Sequence, residues 1–126
     1  MKKILLVDDS KSARAALRKP LEEVGFLVLE AGSGEDGLNV LRSLDDALSL
    51  IVTDHNMPGM TGLEMVLQLR SEPKNVNHGV PVFFLTSDSS VLPKEQCASL
   101  NVKAMILKPV KPSALVEAVK KLLGLK

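Results

Sequence analysis

The chain has no tryptophan, no tyrosine and only three phenylalanines in 126 residues, so intrinsic fluorescence offers no handle on ligand binding. It has a single cysteine, Cys97, which excludes an internal disulfide and fits a reducing cytoplasm. The only histidines available to activate that thiol are His55 and His78, and Cys97 reads as a buried or half-buried bystander. Neither sign of charge is in excess. A formal net charge of +1 gives no electrostatic argument for nucleic acid, an acidic substrate or a membrane surface. The longest apolar runs fall far short of a bilayer span. The opening "MKKILLVDDS" turns acidic after a short apolar run, unlike a secretory leader. The expectation is a cytoplasmic protein with no membrane or nucleic-acid contact. With 45% hydrophobic and 25% charged residues, it has the composition of an ordinary globular domain, expected to span residues 1–126.

What the chain does have is short aliphatic runs with helical patterns between them. The runs are "KILLV", "FLVLEA", "LSLIVT", "PVFFLT" and "AMILK". The first, third and fourth are continuously apolar, as in strands covered on both faces of a parallel sheet. Between the first two runs, Lys11 to Val24 places Ala13, Leu17, Leu21 and Val24 on one helical face, with Pro20 expected to kink the helix. Ser33 with Asp36, and Thr61 with Glu64, read as N-cap pairs opening the second and third helices. The fourth helix, near Pro93 to Leu100, is short and weakly marked. The last starts at Pro112 and runs through Leu115, Val119 and Leu122. Five strand–helix units predict an α/β fold: a flavodoxin-like, doubly wound (βα)5 three-layer sandwich. Its parallel five-stranded sheet would have order 2-1-3-4-5, with the ligand site at the switch point between strands one and three.

In such a sheet all strand C-termini lie on one edge. Strand one ends in Asp8 and Asp9, strand three in Asp54, strand four in Thr86, and strand five in Lys108 followed by Pro109. Three carboxylates, a hydroxyl and an ammonium therefore converge. Clustered carboxylates repel one another. A hard divalent cation relieves that repulsion, and an all-oxygen cluster with room for water suits Mg²⁺. An acidic cluster compensated by Mg²⁺ and a lysine is also a receptor for a phosphoryl group. A carboxylate facing that group can attack it to form an aspartyl phosphate. Asp54, on this reading, sits at a strand end to be held rigidly while exposed to a phosphodonor.

The stretches "LLVDDS", "VTDHNMPGMTG", "FLTS" and "LKP" together resemble the receiver domain of two-component response regulators, and the single-domain chemotaxis regulators in particular. The resemblance makes Asp54 the phosphoacceptor and Asp8 and Asp9 the metal-binding pair. The backbone carbonyl of Asn56 would complete the protein ligands to Mg²⁺, with Mn²⁺ as the expected substitute. It implies that Thr86 bonds a phosphoryl oxygen and Lys108 neutralises another. Met57, Pro58, Gly59 and Gly62 would shape the loop below the site, and Pro109 would follow a cis peptide bond. Asn56 and Asp88 occupy the positions that tune phosphate lifetime in the family. The expected partners are a sensor histidine kinase or phosphotransfer protein, as donor, and an unidentified output protein. The output protein would read the face formed by the fourth helix, fifth strand and fifth helix. One position departs from the pattern. Three residues before the lysine, where receivers usually carry Tyr or Phe, stands Met105.

Competing readings are weaker. "GSGEDG", Gly32 to Gly37, matches a dinucleotide-binding glycine motif, but it follows the second strand and sets Glu35 and Asp36 against a pyrophosphate. Its expected job is a turn and a helix start. An aspartyl-nucleophile phosphatase usually carries a second acid two residues after the nucleophile; Asn56 stands there. A receiver belonging to a larger DNA-binding regulator or hybrid kinase is the remaining alternative. Strand alternation turns His55 away from the face used by Asp54, making it a packing or rim residue. His78 is expected in solvent.

Overall fold

The computed structural model describes residues 2–88, 90 and 92–125; Met1, Ser89, Val91 and Lys126 lie outside the described residues. Its elements are β1 Lys3–Val7, α1 Lys11–Glu23, β2 Leu27–Ala31, α2 Gly34–Ser43, β3 Leu50–Asp54, α3 Gly62–Arg70, β4 Val82–Thr86, α4 Lys94–Ser99, β5 Val102–Leu107 and α5 Pro112–Leu123. The strands form one parallel sheet of order β2-β1-β3-β4-β5, the flavodoxin-like order expected from the strand pattern. Every residue of β3 and β4 is buried, which is why these runs read as continuously apolar.

Side-chain alternation divides the core in two. Leu5, Val7, Ile51 and Phe84 join the layer beneath α2 and α3, through Leu38, Leu41, Met65 and Leu69. Ile4, Leu6, Leu50, Val52 and Leu85 join the layer beneath α1 and α5, through Leu17, Leu21, Leu115 and Val119. Asp8 and Asp54 share the parity of the second set, so they emerge at the mouth of the α1–α5 side.

The caps explain where the helices start. Ser33 Oγ accepts from the Asp36 amide at 3.0 Å, and the first turn of α2 carries Glu35 and Asp36, favourable at a helix N-terminus. "GSGEDG" is thus a turn and a cap. Thr61 and Glu64 form a reciprocal capping box on α3, with bonds of 3.1 and 3.0 Å. By contrast, α4 spans six residues, lacks a side-chain cap and buries none of its residues.

Two expectations need correction, those for Val24 and His78. Val24 caps the C-terminus of α1 and is exposed, because the helix ends one residue earlier and Gly25 turns the chain at φ +101°. Pro20 lies inside α1, which runs from Lys11 to Glu23. His78 is half-buried, since its carbonyl accepts from Arg70 Nη1 at 2.8 Å. The same guanidinium also holds the carbonyls of Val80 and Leu100. Cys97 is half-buried, as expected of a bystander. No helix among the described residues is long and apolar enough to cross a membrane.

Candidate functional site

The β1–α1 loop is pinned before it reaches the crevice. The Asp8 amide donates to Ala31 O at 3.1 Å, extending the β1–β2 ladder by one residue. The Ser10 amide donates to Asp8 Oδ1 at 2.9 Å, and Ser10 caps α1 by accepting from the Ala13 amide at 3.2 Å. Asp8 is thereby buried, while Asp9 is exposed. Burial raises the Asp8 pKa above its ordinary value of 3.8; the Ser10 amide opposes this, and the nearby Asp54 charge adds to it.

Asp54 ends β3 and is 2% exposed. The exposed acceptor anticipated from the sequence is therefore a buried one. The reason lies in β5. The Lys108 amide donates to Thr86 O at 2.9 Å, carrying the chain one residue past the strand, so that Lys108 Nζ reaches back to 2.6 Å from Asp54 Oδ1. This is an ion pair without hydrogen-bond alignment: among the described residues, no donor of good geometry serves that buried oxygen. The Lys108–Pro109 peptide is cis.

Carboxylate oxygens of Asp8, Asp9 and Asp54 all lie within 4.8 Å of one another. At that spacing and an effective dielectric of about 20, each pair of charges repels by roughly 3 kcal/mol. Three carboxylates against one ammonium leave a charge that a single divalent cation cancels. Hard oxygen donors and a buried oxygen lacking a donor hydrogen fit Mg²⁺. Asn56 is exposed and lines the same open crevice of about 650 Å³, together with Asp8, Asp9, Asp54, Lys108 and Pro109. A larger hollow of about 720 Å³ lies beside the C-terminal ends of α2 and α3, around the Arg42–Glu72 ion pair, away from the carboxylates.

The loop after Asp54 is held tightly. The Gly62 amide donates to His55 O at 3.0 Å, and a Cβ at Gly62 would lie 2.5 Å from Asp54 O. Gly59 adopts φ +76°, a left-handed conformation that suits glycine. Pro58 is exposed and Met57 buried. His55 packs its ring against Phe84 at 5.9 Å, on the side away from Asp54.

Three candidates, Thr86, Asp88 and Met105, do not line the crevice. Thr86 is fully buried, and its hydroxyl is tied into its own turn, accepting from the Asp88 amide at 3.1 Å and donating to Asp88 O at 3.2 Å. Asp88 is exposed, and its carboxylate accepts from the Ser90 amide and hydroxyl at 2.9 and 2.6 Å, bonds that lower its pKa. Met105 sits opposite Phe84 in the β4–β5 ladder, half-buried against the α2–α3 core.

Two contacts had escaped the sequence reading. Arg14 Nη1 donates to Asp8 O at 2.5 Å, and its Nε donates to Glu30 Oε1 at 2.9 Å. Glu35 accepts from the Met60 amide at 3.2 Å. Arg14 and Arg18 both pair with Glu30, a partner on β2 that spacing along α1 does not reveal.

Comparison with known proteins agrees with this geometry. The family model for the response regulator receiver domain matches residues 4–120. A chemotaxis protein CheY homolog of Campylobacter jejuni is 32% identical over 97% of this chain and 92% of its own. The transcriptional regulatory protein CpxR of Escherichia coli is 33% identical over 98% of this chain, which spans only 50% of CpxR. Among solved structures, Vibrio cholerae CheY4 superposes with a TM-score of 0.82 at 29% identity, covering 96% of this chain and 98% of CheY4. Thermotoga maritima TrrA, solved in complex with Mg²⁺ and BeF, gives 0.78 at 31% identity over 97% and 99% of the two chains.

Proposed function

The chain belongs to the response regulator receiver domain family, and from that premise we propose that it is a phosphorylation switch whose acceptor is Asp54. The observation that carries this reading is the buried Asp54 carboxylate facing Asp8, Asp9 and Lys108 at the β1/β3 switch point. Asp8, Asp9, Asp54 and the Asn56 carbonyl would hold Mg²⁺, or Mn²⁺ in its place. That ion supplies charge neutralisation for the carboxylates and the incoming phosphoryl oxygens.

An Asp54 carboxylate oxygen attacks phosphorus. The bond to the donor breaks and its electron pair leaves with the donor: the imidazole of a kinase or phosphotransfer phosphohistidine, or the carboxylate of a small acyl phosphate. The Lys108 ammonium, already 2.6 Å from the acceptor carboxylate, then serves a phosphoryl oxygen. The Thr86 hydroxyl exchanges a neutral bond to Asp88 O for a charge-assisted one, a gain of about 1 kcal/mol. The turn after Thr86 follows, and α4 is easily moved because no side chain caps its start and none of its residues is fully buried. The α4–β5–α5 face thereby changes its affinity for an output protein. Asn56 and Asp88, two residues beyond Asp54 and Thr86, would tune the lifetime of the acyl phosphate.

Incubation with Mg²⁺ and an acyl phosphate should add one hydroxylamine-labile phosphate. Asp54→Asn should abolish it. A modification that survives this substitution, or that maps to serine or histidine, would overturn the assignment.

A further inference from the structure

We infer that Arg14 is a positioning residue for the acidic pair: it fixes the Asp8–Asp9 peptide so that the two carboxylates meet one cation. The inference rests on the metal site proposed above. Asp8 is constrained at three points. Its amide is held by Ala31 O, its carboxylate by the Ser10 amide, and its carbonyl by Arg14 Nη1 at 2.5 Å. Only the last acts on the peptide plane that leads into Asp9. Asp9 is exposed, so packing does little to aim its side chain, and its direction follows from the backbone.

Arg14 is itself well held. Its side chain is 16% exposed, its Nη1 lies 3.5 Å from where a Cβ of Gly32 would sit, and its Nε donates to Glu30 Oε1 at 2.9 Å. Arg18 bonds the other Glu30 oxygen, fixing that carboxylate in turn. The planar guanidinium fork serves a carboxylate on β2 and a carbonyl in the β1–α1 loop at once. An ammonium has no such fork. The order of command runs from the β2 edge strand through Arg14 to the loop that carries two of the three carboxylates.

Position and charge make opposite predictions here, which allows a clean test. Arg14 is a cation beside a cation site, so on electrostatic grounds alone Arg14→Gln should tighten Mg²⁺ binding. If the residue positions the loop, Arg14→Gln should weaken it, on the order of tenfold, as loss of supporting contacts around metal ligands commonly does. Arg14→Lys keeps the charge and loses the fork; it should weaken Mg²⁺ binding by a smaller factor in the same direction. The measurement is Mg²⁺ titration by amide NMR on the full chain, which also reports whether each variant is folded. Phosphorylation by an acyl phosphate should return towards the wild-type rate at saturating Mg²⁺ in both variants. Equal or tighter binding in Arg14→Gln, an unchanged affinity in Arg14→Lys, or a rate that stays low at saturation would each overturn the inference. If the glutamine variant does not fold, the lysine variant decides. Wild-type protein that binds no Mg²⁺ would instead overturn the underlying site.

Discussion

Gly62→Ala tests whether the acceptor loop is as tightly built as its backbone indicates. An alanine Cβ at Gly62 would lie 2.5 Å from Asp54 O, 3.1 Å from His55 Cα and 3.3 Å from Asp54 C. All three are backbone atoms, so no flexible side chain can swing aside. The approach is held in place by the bond from the Gly62 amide to His55 O. Relief requires α3 to back away from β3, at the cost of that bond or of the packing of Met65 and Val66, both fully buried. Overpacking of this kind costs about 1–3 kcal/mol. Against it stands the lower chain entropy of unfolded alanine, about 0.4–1 kcal/mol, which Gly62 would gain because its φ is not left-handed. The net loss is about 1–2 kcal/mol, or a Tm lowered by roughly 4–10 °C in a domain of this size. Thermal unfolding followed by far-UV circular dichroism is the assay. Gly79→Ala is the control, because a Cβ there meets nothing within 4 Å; it should be neutral or slightly stabilising. The atom struck at Gly62 belongs to Asp54, the proposed acceptor, so Gly62→Ala should also slow phosphorylation while Gly79→Ala should not. A Gly62→Ala protein within about 0.5 kcal/mol of wild type would refute the steric argument.

Two further outcomes follow from the site. The folded-state pKa of Asp8 is raised, so between its ordinary value of 3.8 and the raised value the folded chain binds more protons than the unfolded one. Metal-free stability then falls as pH rises through that window. Asp8→Asn should stabilise the metal-free protein above the window and make no difference below it, as read from Tm against pH in chelator; no gain at neutral pH would contradict the assignment. Met105 has several accessible rotamers where an aromatic would have a two-position gate. Methyl NMR of apo and beryllofluoride-bound protein should therefore show the change concentrated in the turn after Thr86 and in α4, and a discrete two-state Met105 with a fixed α4 would refute this.

The fold was legible because its signals are local. Two-sided burial makes β1, β3 and β4 read as apolar runs, and Ser33 and Thr61 announce their helices through caps three residues long. The convergence of Asp8, Asp9, Asp54 and Lys108 was also legible, since strand order alone brings those ends together. What escaped depends on side-chain reach. Nothing in the sequence says that Lys108, just past β5, folds back to cover Asp54 and turns an expected exposed carboxylate into a buried one. Nothing says that Arg14 spans from β2 to the carbonyl of Asp8, or that the Thr86 hydroxyl is taken by the Asp88 backbone. Val24 was misassigned for a simpler reason: a helical period continues past the residue at which Gly25 ends the helix.

If Asp54 is the phosphoacceptor, as proposed, the form of the switch follows from charge position more than from charge amount. Phosphorylating a serine replaces a neutral group, but an aspartyl phosphate consumes a carboxylate. The net change at Asp54 is therefore only about −0.5 to −1, because the new group carries about −1.5 to −2 and the old one −1. What changes most is location. The charge leaves a carboxylate that is almost fully buried and paired with Lys108, and it is spread over phosphoryl oxygens standing further out in the crevice. Lys108 can follow it, since its side chain is 36% exposed and carries four flexible methylenes. Thr86 cannot follow without its turn, because its hydroxyl is bonded to the backbone of Asp88 on both sides. On the proposed reading, a modest gain in charge, displaced outwards, acts on a buried hydroxyl at the sheet edge whose release must move a loop. This coupling of Thr86 to its own turn is what would carry a local chemical event to α4.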